Sequence, residues 1–263
     1  MGSSYSNVTM VTRASDMIDF IGEDYSGKSA AELIRKFSLP KTTCYRLLQT
    51  LVKCEFLTQD VSTGLYYLGK KFSDYATIEE HKLHLLQAVS RPYLKDLSLQ
   101  AQETAKISVL SSMSCYVLDN AEGPQNIKIS VKTGSVFPLH AGASSKILFL
   151  SMGNHAQSIL FNKGLERYTS KTITSQSEML VEFEKIAKQG YSVDNGEYIE
   201  GICAVACPVY DYSGKIIAAV SIVYAASSMN QATIESLVPH LKETTQNIGY
   251  DFQKQRRQHV QMN

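Results

Sequence analysis

Between Lys41 and Lys53 the apolar and polar residues separate cleanly on a helical period. Cys44, Leu47, Leu48, Leu51 and Val52 fall at i, i+3, i+4, i+7 and i+8, the stripe of an amphipathic helix. Thr42, Tyr45, Arg46, Gln49 and Lys53 take the other side, and no Asp or Glu interrupts the run. Such a helix is constrained twice. Its apolar stripe must bury against neighbouring elements, and its acid-free outer face suits an anionic surface.

The flanking segments supply those neighbours. Ala14, Met17, Ile18 and Ile21 predict a first helix, which Gly27 interrupts. Ser29 followed by Glu32 is a capping box that opens a second helix, with Ala30, Leu33, Ile34 and Phe37 on its apolar side. The chain turns through Ser38-Leu39, and Pro40 suits the first turn of the third helix. Phe56–Gln59 and Leu65–Leu68 flank the turn Asp60-Val61-Ser62-Thr63-Gly64 and read as a β-hairpin. Three helices and a hairpin make a mostly-α winged helix-turn-helix over residues 13–70, preceded by a disordered tail over residues 1–12.

In this plan the third helix lies in the major groove of double-stranded DNA. Arg46 can fork onto guanine and Gln49 can pair with adenine. Lys41, Thr42, Thr43 and Tyr45 stand near the helix start, where phosphate oxygens are met. Ser29 and Lys53 are assigned to the same DNA surface, and the hairpin adds Thr63, Tyr66 and Tyr67. One helix reads only a few base pairs. A palindromic operator with two half-sites, and therefore a homo-oligomer, is the expected partner arrangement.

The remainder has a different texture. Residues 71–100 read as a linker and connecting helix, with the helix over Ile78–Gln100 kinked or broken at Arg91-Pro92. Glu103–Val109, Ser114–Asp119 and Ile127–Lys132 read as strands. Small residues in Pro138–Lys146 open an apolar helix whose free N–H groups suit a small anion. A helix over Ser177–Gln189, a short strand Tyr191–Asp194 and two long strands, Ile202–Tyr210 and Lys215–Tyr224, follow. Both long strands are apolar on both faces and belong in the middle of a covered sheet. A last helix runs from Gln231 toward Arg257, and residues 256–263 read as a tail. The fold class is thus an N-terminal winged helix followed by a C-terminal α+β domain with an antiparallel sheet over residues 101–255.

Two groups of segments together resemble the IclR-type (isocitrate lyase regulator) bacterial transcription factors. In the first half they are Lys28–Leu33, Leu39–Leu51 and Thr63–Gly69; in the second, Pro138–Ala143, Gly190–Gly201 and Val205–Gly214. The resemblance covers residues 13–255 and implies a GAF-like effector domain, dimers or dimers of dimers, and repression of a catabolic operon. It also implies a small-molecule effector, a carboxylate or related metabolite. Matching positions place Ala143, Ser144, Asp194, Ala204, Ser221 and Val223 in the effector pocket. Family wings often carry Arg where Leu65 and Tyr67 stand, so this wing brings less charge to DNA. Ala204 stands where a Cys is frequent and Val223 where a Ser is found, which makes the pocket more apolar than one for a two- or three-carbon acid.

Composition narrows the alternatives. With 263 residues, 44% hydrophobic, 19% charged and a net charge of +1, the chain builds real cores and has no bulk charge to attract nucleic acid. No signal or membrane-spanning segment is read, and an odd set of five cysteines (Cys44, Cys54, Cys115, Cys203, Cys207) fits a reducing cytoplasm. His81 and His84 lack a third metal ligand, and His140 near Ser144 and Ser145 lacks a nucleophile-elbow pattern. No metal, cofactor or catalytic activity is expected. The rival reading is a metabolite-binding enzyme or sensor whose winged helix binds protein.

Overall fold

The computed structural model describes residues 9–262, apart from 127 and 229. The chain divides into a unit ending at Lys82 and one starting at Leu83.

The first unit holds α1 (Thr9–Gly22), α2 (Ala30–Phe37), α3 (Lys41–Lys53) and a hairpin of β1 (Leu57–Gln59) and β2 (Tyr66–Leu68). The capping box forms: Glu32 N–H donates to Ser29 Oγ at 3.3 Å, and Ser29 N–H donates to Glu32 Oε2 at 2.8 Å. Ser38 ends α2 in the left-handed region at φ 49°, which frees the chain to turn into α3. Met17, Ile21, Leu33, Cys44, Leu48 and Leu57 form the core. Gly69 closes the hairpin where a Cβ would stand 2.1 Å from the Glu55 carbonyl oxygen, so any side chain is excluded there.

α4 (Lys70–Ala101) is a single helix of 32 residues. The expected break at Pro92 does not occur. Proline forfeits one helix hydrogen bond, but the helix is pinned beside it. Arg91 forks onto Asp119 at 2.9 and 3.0 Å, and Tyr93 Oη donates to Asp251 at 2.6 Å.

The second unit is built on one antiparallel six-stranded sheet in the order β5-β4-β3-β8-β7-β6. Its strands are β3 (Thr104–Ser111), β4 (Ser114–Ala121), β5 (Val136–Phe137), β6 (Ser192–Asn195), β7 (Ile202–Tyr210) and β8 (Ile216–Ala225). The long β7 and β8 are interior strands, as their apolar faces require. Alternation sends Val205, Cys207, Val220 and Ile222 to a core shared with Leu86 and Leu94 of α4 and with Leu241 and Ile248 of α8 (Gln231–Met262). Ala204, Ala206, Ala219 and Val223 face α5 (Ala143–Leu150) and α7 (Gln176–Gln189). Between these two helices in sequence lies α6 (Asn154–Lys163), which has no fully buried residue and packs only the half-buried Ala156, Leu160 and Phe161 against the core, a stripe too short to read in the sequence.

Three boundary expectations are corrected. Residues 9–12 are helical, not part of a tail, because no Gly or Pro stops α1 from extending backward; residues 1–8 of that tail lie outside the described residues. Likewise α8 continues through residues 256–262, a stretch of good helix formers without a breaker, while residue 263 lies outside the described residues. The strand expected over 127–132 does not form: residue 127 is outside the described residues, and 128–132 are irregular. Ile129 and Val131 instead pack on the α5 side of the sheet, and the Ile129 carbonyl accepts from Thr104 Oγ1 at 2.6 Å.

Candidate functional site

The first candidate surface is the outer face of α3. Cys44, Leu47, Leu48 and Leu51 are buried, which turns Lys41, Thr42, Tyr45, Arg46, Gln49 and Lys53 outward; all six are exposed and Thr43 is half-buried. The helix has Pro40 at its N-cap and no side-chain cap, so its first N–H groups are left for an external acceptor. Thr63 is exposed at the hairpin tip, where Asp60 Oδ1 accepts from the N–H of Ser62 and of Thr63 at 2.8 Å each. The Ser62 hydroxyl donates to the same oxygen at 2.6 Å and, with those N–H groups, holds the Asp60 carboxyl down at about 2.

Two expected DNA residues are placed otherwise. Tyr66 is 1% exposed and belongs to the core, and burial pushes its phenol up. The reason is register. Lys28 N–H donates to the Tyr66 carbonyl at 3.0 Å and Tyr66 N–H to that of Lys28 at 2.9 Å, which fixes β2 with Tyr66 inward. The Ser29 hydroxyl is engaged in the α2 cap, donating to Glu32 Oε2 at 2.7 Å.

The second candidate site is a cavity of about 330 Å³ beneath α5 in the sheet unit. Ala143, Ser144, Asp194, Ala204, Ser221 and Val223 all line it. Strand register explains the convergence. Asp194 pairs with Ala204, and Ala204 with Val223, so the three form one row across β6, β7 and β8. Ser221 lies two residues along β8, on the same face as Val223. α5 roofs this row from Gly142, whose φ of 108° is one that L side chains rarely adopt.

The polar inventory of the cavity is unusual. The hydroxyls of Ser144 and Ser221 are buried and, among the described residues, have no hydrogen-bond partner. Asp194 Oδ1 accepts from Glu197 N–H at 2.7 Å, yet burial raises its carboxyl above the ordinary range. Behind it, Lys146 Nζ reaches Glu182 Oε1 at 2.9 Å, Glu197 Oε1 at 2.5 Å and the Val193 carbonyl at 2.8 Å. Burial pushes Glu197 up to about 7 against the pull of Lys146.

Sequence reading missed Lys106, Phe137 and Tyr198 among the lining residues. A lysine in the otherwise apolar run Ala105-Lys106-Ile107 was the available signal. His140, set aside above as a base, donates its Nε2–H to the Glu166 carbonyl at 2.8 Å and stacks on Tyr168. Cys203 and Cys207 are both buried and unpaired, as expected of small apolar side chains.

Residues 10–61 match the IclR helix-turn-helix domain, and residues 80–250 match the bacterial transcriptional regulator IclR C-terminal domain. The chain belongs to the IclR family of transcriptional regulators. Family membership makes it a DNA-binding regulator with an effector-binding domain, not an enzyme. Among curated relatives it is similar to the HTH-type transcriptional repressor AllR of Salmonella typhi, 26% identical over 89% of this chain and 86% of that protein. Its structure is similar to that of the Thermotoga maritima IclR, at 26% identity and TM-score 0.61, over 93% of this chain and 98% of that one. It also shares its fold with an IclR homologue of Microbacterium hydrocarbonoxydans complexed with 4-hydroxybenzoate, at 21% identity and TM-score 0.60, covering 93% and 99% of the two chains. Among the described residues no helix is long and apolar enough to cross a membrane.

Proposed function

We propose that this IclR-family chain is a cytoplasmic repressor of a catabolic operon that binds a palindromic operator as a homodimer or homotetramer and is released by a small carboxylate. Residues 13–70 form the DNA-binding domain, 71–100 the linker and connecting helix, and 101–255 the effector domain. One observation carries the reading: the exposed, acid-free face of α3, with Arg46 and Gln49 turned outward for base edges and Lys41, Thr42 and Tyr45 for phosphates. Repressors among the relatives support the sign of regulation. A carboxylate bound to a protein of the same fold supports the effector class.

The cavity provides for an effector through the orphan hydroxyls of Ser144 and Ser221. Binding there shifts DNA affinity only if the effector prefers one DNA-binding state over another. The test is fluorescence anisotropy of labelled genomic duplexes from beside the gene, at low salt and with a carboxylate panel. Tight binding to one palindrome, relieved by one acid, is the expected result. Failure to bind any duplex at low ionic strength overturns the reading.

A further inference from the structure

Lys106 is a buried charge that forms no ion pair among the described residues. It sits on β3, its residue is 8% exposed, and it lines the cavity. Its ammonium lies 5.0 Å from the ring centroid of Phe137, and among the described residues it makes no ion pair or hydrogen bond. Lys146, the other buried lysine next to the cavity, has two glutamates and a carbonyl oxygen. Burying an ammonium is costly unless something pairs with it. A cation–π contact offsets only part of that cost. Burial accordingly holds Lys106 below the ordinary lysine range, with Asp194 opposing from a distance.

The register places an orphan hydroxyl beside this charge. Lys106 pairs directly with Ser221 across β3 and β8, so both project from the same face at neighbouring positions. Ser221 Oγ has no partner, and Ser144 Oγ on α5 is in the same condition within the same cavity. Three donors therefore line a space in which none of them has a hydrogen-bond partner among the described residues. Asp194, the acid of the cavity, stands on β6, three strands from β3, and attracts Lys106 through space without forming an ion pair. The remaining wall is apolar, with Ile129, Phe137, Ile202 and Val223. At about 330 Å³ the cavity has room for roughly ten water-sized groups, well beyond a two- or three-carbon acid.

We infer that Lys106, with Ser221 and Ser144, anchors the carboxylate of a medium-sized acid whose apolar body fills the rest of the cavity. Lys106 is thereby a specificity-determining residue, selecting an anionic head joined to an apolar body of roughly seven to nine carbon atoms. This rests on the effector reading above and adds to it the anchor and the shape of the ligand.

Isothermal titration of the full chain with acetate, 3-phenylpropionate and the neutral 3-phenylpropanamide tests it, on the wild type and on Lys106→Met and Lys106→Arg. The aromatic acid should bind the wild type roughly 10–100-fold more tightly than its amide, the range expected of a charge-assisted contact. Acetate should bind more weakly than the aromatic acid. Lys106→Met should lose the acid-over-amide preference while still taking the amide, and Lys106→Arg should recover part of it. The acid–amide comparison on the wild type stands even if a variant misfolds. Equal binding of acid and amide to the wild type, or full acid affinity in Lys106→Met, overturns the anchor and leaves the effector reading standing. If neither carboxylate binds, the anchor falls, and the effector reading is then judged separately by release of the duplex.

Discussion

Lys146 Nζ stands 2.5 Å from Glu197 Oε1, and the backbone N–H of the same glutamate holds Asp194 Oδ1 at 2.7 Å. One ammonium thus positions the loop that presents the cavity acid. Because Glu182 also binds Lys146, two carboxylates share one cation in a buried place. Glu197 lies at about 7, above its unfolded value near 4.5. Its contribution to stability is complete below pH 4.5 and is lost as pH rises through 7, since the folded state then holds a proton that the unfolded chain releases. Thermal melts from pH 5 to 8 should show Tm falling with pH, and Glu197→Gln should flatten that decline.

Arg46→Ala should cost on the order of 1–3 kcal/mol of operator affinity and relax base preference at one position. Lys41→Ala should instead weaken all duplexes alike and lower the salt slope by about one. Gel-shift titrations on operator and scrambled DNA at two salt concentrations separate the two effects.

Tyr66→Ala should destabilise the first unit by roughly 3–5 kcal/mol, the cost of emptying a buried aromatic site. Tyr66→Phe should leave DNA affinity unchanged, because a side chain 1% exposed cannot itself reach a duplex. Urea denaturation and duplex titration of both variants check this; a selective loss of DNA binding in the Phe variant would restore the residue to the interface.

Ser29→Ala removes both the acceptor for Glu32 N–H and the donor to Glu32 Oε2, and should cost about 1 kcal/mol of stability. A DNA affinity unchanged once folding is accounted for would mark the hydroxyl as a helix cap. Urea denaturation and duplex titration supply the two numbers.

Periodicity made α3 and its two faces legible, because Cys44, Leu47, Leu48 and Leu51 repeat at helical spacing over several turns. β2 is three residues long, and so short a strand does not reveal which alternate set faces inward. Its register comes from Lys28, a non-local partner that no local pattern announces. The cavity was legible where family motifs mark it, at Ala143, Ser144 and Asp194. Lys106 enters through pairing of β3 with β8, strands distant in sequence, and so escaped a reading made segment by segment. α6 was missed because only the half-buried Ala156, Leu160 and Phe161 mark its inner side, and α4 was expected to kink or break at Arg91-Pro92 because its tertiary anchors, Asp119 and Asp251, lie far along the chain.

The floor of the cavity is laid by Ala204, Ser221 and Val223, short side chains on strands whose opposite faces carry the main core. Substitution among such residues reshapes the chamber by a methyl or a hydroxyl at a time while the far side of the sheet keeps its packing. Descendants of this chain can therefore drift from one metabolite to another in single mutational steps, with the architecture that reports on DNA left intact.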